Sequence, residues 1–237
     1  MDEAESKSAF LSERIGSIKA KIEAARLAGG FYEPVTVVAA TKTVDASVLK
    51  LLPGAGIAIA GENRVQELLE KYGDGIGLDW HFIGALQTNK VKYIADKVSL
   101  IHSVDRVGLA DEIERRADAL GRVIDVLVEV NIGGEPNKSG VSEADAPALV
   151  RYIRGLSCVR IRGLMTVMPL NAPDILYKRM RTLYNEMKTG DGFCYLSMGM
   201  SGDYEAAVRF GANMVRIGSA IFGARKAAAG QNHSEIR

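Results

Sequence analysis

Val35-Thr36-Val37-Val38-Ala39-Ala40-Thr41-Lys42 is the stretch on which the fold turns. Its first six residues are β-branched or small and nearly all apolar, the pattern of a strand covered on both faces. The run then stops on a lysine. Upstream, Leu11, Ile15, Ile18, Ile22 and Ala25 recur at i, i+4, i+7, i+11 and i+14, the stripe of an amphipathic helix that Gly29-Gly30 ends. Residues 1–30 are thus an N-terminal helix. Downstream, seven more short runs read as strands: Ile57–Ala60, Trp80–Gly84, Leu100–Val104, Val123–Ile132, Val159–Val167, Phe193–Ser197 and Asn213–Ile217. Helical stripes lie between them. They are Val65, Leu68, Leu69 and Tyr72; Leu109, Ile113, Ala117 and Leu120; Leu149, Ile153 and Leu156; and Leu176, Met180, Leu183 and Met187. Strand–helix alternation implies parallel strands with crossovers. Eight such units predict a closed (β/α)8 TIM barrel, an α/β fold in which residues 1–237 form one domain with an extra N-terminal helix. The tail 226–237 is polar and Ala-rich, and is expected to fray.

Composition narrows the function. Thirty basic and 29 acidic residues give a formal net charge of +1, which argues against a nucleic-acid or polybasic membrane binder with its basic stripe. No apolar run approaches the roughly 20 residues of a bilayer span, and the start MDEAESKSAF lacks a signal core. The two cysteines, Cys158 and Cys194, form no CxxC pair and point to a reduced, cytoplasmic setting. The three histidines, His81, His102 and His233, lack metal-ligand spacing.

In this fold, chemistry gathers at the C-terminal ends of the strands. Thr41-Lys42-Thr43, Gly61-Glu62-Asn63, Gly84, Ser103, Asn131, Met165-Thr166, Ser197–Gly202 and Arg216–Ser219 stand there, and His81 lies on the third strand. A lysine straight after a buried strand sits where loss of water favours the neutral amine, the form that attacks carbonyls; the plain alternative is a solvated loop lysine. Met200-Ser201-Gly202 and Gly218-Ser219 each open a helix after strands seven and eight, the usual phosphate site of the barrel. An N-cap serine with a packing glycine explains one such loop, but less readily two adjacent ones. Arg216 lies inside an apolar run and needs an acceptor, either a ligand or a structural partner. A lysine, a phosphate cup and an arginine on one rim match pyridoxal phosphate.

With these motifs the sequence resembles the YggS/PROSC family of pyridoxal phosphate homeostasis proteins, whose barrel is similar to the N-terminal domain of alanine racemase. The resemblance runs from Val38 to Arg225. It is carried by Ala40–Thr43, Gly61–Glu67, Trp80–Lys90, Asn137–Gly140, Arg162–Met165, Leu196–Ser201 and Val215–Gly223. It implies that Lys42 is the aldimine lysine, that Ser201, Gly218 and Ser219 hold the phosphate beside Met200, and that Arg216 faces the pyridine nitrogen. Asn63 and His81 fall in motifs that line the pocket. Thr41 and Thr43-Val44-Asp45 depart from the family's serine before the lysine and Lys-Pro after it, and Pro169–Asp174 is short. Lys138 is either a second lysine at the mouth or a solvated charge. Glu62 is read as pairing with Arg64 or capping the next helix.

The resemblance implies a carrier that buffers or delivers the cofactor, with PLP-dependent apo-enzymes as partners and no efficient catalysis. A permanently protonated arginine at the ring nitrogen weakens the ring as an electron sink. The expected state is a monomer, because the domain that dimerises the larger racemases has no counterpart in the chain. The alternative is a small PLP-dependent amino-acid racemase, with Tyr204 or Tyr195 as its second base. A phosphosugar isomerase on the same barrel is a third reading.

Overall fold

A computed structural model describes residues 3–73, 75–190 and 192–223; the tail expected to fray lies outside them. Eight parallel strands close into a barrel in sequence order, with β1 paired to β8. They are β1 Thr36–Ala40, β2 Ile59–Glu62, β3 Asp79–Phe82, β4 Leu100–Val104, β5 Ile124–Glu129, β6 Val159–Met165, β7 Tyr195–Ser197 and β8 Met214–Ile217. Each lies on or within two residues of its expected run. The longer expected runs end early as strands, although Val130 and Thr166 still donate N–H bonds to the neighbouring Met165 and Ser197 carbonyls.

Around the barrel lie α1 Glu3–Ala28, α2 Ala46–Leu49, α3 Val65–Lys71, α4 Val107–Ala119, α5 Ala146–Arg154, α6 Asp174–Met187, α7 Tyr204–Arg209 and α8 Ser219–Phe222. The β3–β4 connection is a 3₁₀ helix, Thr88–Tyr93. All five stripe residues of α1 are buried, and α1 packs on α7 and α8. Its end is sharp, because Gly30 takes φ 74° and a side chain at Gly29 would run into the Arg209 carbonyl. Two stripe residues are corrected. Tyr72 and Leu120 stand exposed, because each follows the last helical residue and precedes a left-handed glycine, Gly73 or Gly121.

The core has two parts. One fills the space between strands and helices. The other, Val38, Ile83, Leu100, Leu127, Met165 and Met214, fills the barrel itself. Alternation along a strand puts residues two apart on one face. Leu100, Leu127, Met214 and Ile83 therefore share the barrel interior with His102, Glu129, Arg216 and His81. Gly61 makes room for this layer, since a Cβ there would lie 2.8 Å from Val38 Cγ1 and 2.9 Å from Ile83 Cδ1.

Candidate functional site

Lys42 stands two residues past the end of β1 and is half-buried at the C-terminal mouth. Its Nζ has no hydrogen bond or ion pair among the described residues. The backbone on either side is tightly held. Thr41 is fully buried; its hydroxyl donates to Glu62 Oε1 (2.6 Å), and its carbonyl accepts from Lys71 Nζ (2.8 Å). Lys71 also donates to Glu62 Oε1 at 2.6 Å. Thr43 takes a left-handed φ of 63°, rare for a β-branched residue, and its N–H donates to Glu67 Oε2 at 2.9 Å. One strand and one helix thus clamp the lysine between two threonines. Glu62 pairs with Lys71 and not with Arg64 or the helix start, because it faces the helix layer beneath α3, whereas Arg64 projects to solvent.

The β1–β8 pairing sets the two other parts beside Lys42. Val38 is opposite Arg216, and Ala39 is opposite Ile217, so the Gly218 loop follows at the level of Ala40. A Cβ at Gly218 would lie 3.1 Å from the Ala40 carbonyl oxygen. The Ser201 hydroxyl accepts N–H bonds from Gly218 (3.1 Å) and Ala220 (3.2 Å), tying the loop after β7 to the loop after β8. Gly199 is needed for this approach: its φ is 96°, and a Cβ would meet that of Ala207 at 2.6 Å. Met200 and Ser219 stand exposed on the same rim, and the Met200 N–H donates to Asp203 Oδ1.

Arg216 is buried inside the barrel. Nη1 donates to the Ser197 carbonyl (3.0 Å) and hydroxyl (2.7 Å), and Nη2 donates to the Thr166 carbonyl (2.8 Å). A guanidinium has five N–H donors. Nε–H and one Nη2 proton therefore stay uncommitted among the described residues. Burial lowers Arg216 to about 10, with Glu129 and Asp203 opposing the shift, so it is charged at neutral pH.

Strand patterns had not singled out two interior groups. His102 is fully buried, and burial, then His81, then Arg216 hold its imidazole well below the usual histidine range. Burial pushes the Glu129 carboxyl up to about 7, Asp105 adds to the rise and Arg216 opposes it. The signal for both was a polar residue at inward parity, two positions from Leu100 or Leu127. Glu129 lines a cavity of about 280 Å³ at the mouth with Asn131, Asn137, Lys138, Ser139 and Val167. Lys138 is half-buried there and paired with Glu135.

The structure brings Lys42, Ser201, Gly218, Ser219 and Arg216 to one side of the mouth, at the β1–β8 seam and the adjoining β7 loop. Asn63 stands exposed on the rim after β2. His81 is deeper, its Nδ1 3.0 Å from His102 Nε2.

Known proteins fit this frame. The alanine racemase N-terminal domain family matches residues 20–226. The pyridoxal phosphate homeostasis protein of Aquifex aeolicus is 44% identical over 223 residues, covering 90% of this chain and 98% of that one. Its namesake in Escherichia coli K12 is 35% identical, covering 91% and 97%. PipY of Synechococcus elongatus, solved with PLP bound, superposes with a TM-score of 0.76 at 31% identity, over 90% of this chain and 100% of that one. An alanine racemase of Clostridium difficile 630 shares the fold, with a TM-score of 0.67 at 18% identity, over 91% and 57%. The chain belongs to the alanine racemase N-terminal domain family and, within it, to the pyridoxal phosphate homeostasis proteins.

Proposed function

We propose that this protein binds pyridoxal phosphate at Lys42 and stores or delivers it without efficient turnover. The observation that carries the reading is an unpartnered, half-buried Lys42 amine beside a two-loop cup and above an arginine with spare donors. When bound, the cofactor supplies an aldehyde for an amine and an electron-withdrawing ring. Lys42 Nζ holds the aldehyde carbon. Ser201, Gly218 and Ser219, with Met200 beside them, hold the phosphate through hydroxyl and backbone N–H donors. Arg216 donates to the ring nitrogen and keeps it unprotonated. Asn63 borders the mouth, and His81 supports the interior. The names of the relatives and the PLP in PipY support the same assignment.

Low turnover is supported by the two candidate second bases. A second base is needed to move a proton on the far face of an amino acid. Burial pushes the Tyr204 phenol up to about 12, helped by Glu205, and makes it a poor base at neutral pH. Tyr195 flanks the apolar interior cluster on β7. The protein then acts as a cytoplasmic monomer that passes cofactor to apo-enzymes. The test is the visible absorbance of protein mixed with pyridoxal phosphate and gel-filtered. The parent retains the band and Lys42→Ala loses it; a colourless parent, or a variant that keeps the band, would sink the reading. Deuterium exchange at the Cα of any of a panel of amino acids would favour the racemase instead.

A further inference from the structure

Four side chains form an unbroken chain through the barrel interior. Arg216 Nη1 lies 2.7 Å from Ser197 Oγ, which lies 3.3 Å from His102 Nδ1; His102 Nε2 lies 3.0 Å from His81 Nδ1. His81 Nε2 then approaches Asp79 Oδ2 at 3.6 Å, on the half-exposed start of β3. Asp79 also accepts from Ser99. Burial works to raise Asp79, but the neighbouring His81 imidazole and the Ser99 hydroxyl prevail and hold it below the usual carboxylate value.

The direction of this chain is not arbitrary. Arginine only donates, so Ser197 must accept from it and send its one proton on to His102 Nδ1. A neutral His102 that accepts at Nδ1 carries its proton on Nε2, and so donates to His81 Nδ1. His81 then carries its proton on Nε2, facing the Asp79 carboxylate. Each group has one role, and both tautomers are set by the guanidinium at one end and the carboxylate at the other. Reversing His102 would leave the Ser197 hydroxyl with donors on two sides and its own proton without this acceptor.

We propose that Ser197, His102 and His81 are positioning residues for Arg216. The chain holds Nη1 down and away from the mouth, so that Nε–H and the free Nη2 proton are the donors offered to a ring nitrogen above. This rests on the reading of Arg216 as the partner of that nitrogen, but the chain itself exists without ligand.

The first test uses cofactor-free protein. Only three histidines occur in the sequence, so ring ¹⁵N signals are assigned with His102→Gln and a comparison at His233. Both His81 and His102 are expected as neutral Nε2–H tautomers; an Nδ1–H form at either, or averaged signals, overturns the chain. The second test is Ser197→Ala, which removes the hydroxyl link and leaves the two carbonyl acceptors of Arg216 in place. It should shift the His102 and His81 signals and weaken pyridoxal phosphate binding about tenfold, as for one lost hydrogen bond to a charged group. Ser201→Ala, in the cup, should weaken binding with the histidine signals unmoved. Should Ser197→Ala not fold, Asp79→Ala at the far end carries the same expectation for both histidines. Unmoved signals, or moved signals with unchanged affinity, overturn the positioning role. Retention of the visible band by Lys42→Ala would instead overturn the covalent reading and leave the first test standing.

Discussion

Glu129 is an acid raised in the folded state, from an ordinary 4.5 to about 7. Between those values the folded protein keeps a proton that the unfolded chain has released. Stability therefore falls as pH rises through that window, by about 1.4 kcal/mol per unit and on the order of 3 kcal/mol in all. His102 works the other way. It is held well below 6.5, so below that pH the unfolded chain takes up a proton first and stability falls as pH drops. The two slopes oppose each other from 4.5 to 6.5. Glu129→Gln removes one and keeps the other. The variant should gain stability over the parent above about pH 6, and its own stability should climb with pH where the parent changes less. Urea midpoints at about pH 5, 6 and 7 decide it; identical pH profiles would show that these two groups do not set the slope.

The clamp around Lys42 belongs to β2 and α3 acting together. Lys71 is the cation that compensates a fully buried Glu62, whose Oε2 has no hydrogen-bond partner among the described residues. Lys71→Met leaves that carboxylate uncompensated and frees the Thr41 carbonyl, and should cost about 3–5 kcal/mol. Glu62→Gln combined with Lys71→Met should recover part of the loss, which a chemical-denaturation double-mutant cycle measures. In β6, Gly163 sits at a register shift with φ 151°, and a Cβ would lie 1.8 Å from the Tyr195 carbonyl oxygen. Gly163→Ala must therefore push β6 from β7 and should lower the melting temperature by several degrees, a cost of more than about 1 kcal/mol. Strands and helix stripes were legible because period and burial agree along them. The clamp was not, because Glu62, Glu67 and Lys71 belong to two elements whose packing no local spacing specifies. The interior histidine pair was hidden for the same reason: His81 and His102 lie 21 residues apart and meet only once β3 and β4 are side by side.

At the scale of the whole molecule, barrel closure and the proposed ligand site coincide. Lys42 and the Gly218 loop flank the seam where β1 meets β8, and α1 braces that seam from outside through α7 and α8. The N-terminal helix is thus part of the site's support. Ile15→Ala or Ile18→Ala should each cost about 2–5 kcal/mol, as buried aliphatic deletions do. Ligand that binds only the folded protein adds about 2.7 kcal/mol at a hundred times its dissociation constant. A thermal-shift titration with pyridoxal phosphate should therefore raise the melting point of the parent and of Ile15→Ala alike, and raise Lys42→Ala far less. Equal shifts in all three would mean that the lysine contributes nothing to binding. The rim residues were readable from sequence because this fold places strand ends together. The burial of Arg216 was readable too, from its apolar run, but the partners of Arg216 and His81 were not, since they come from other strands.

Ser201 has a kinetic consequence. Its hydroxyl bridges the Gly218 and Ala220 amides and so fixes the loop after β7 to the loop after β8. On the proposed reading, a phosphate at this rim competes with that hydroxyl for the same two amides. If the cofactor is held as proposed, its release depends on breaking the bond to Lys42 as well as on returning the two amides to the Ser201 hydroxyl. For a carrier, that places the timing of release in the hands of whichever amine next competes for the aldehyde.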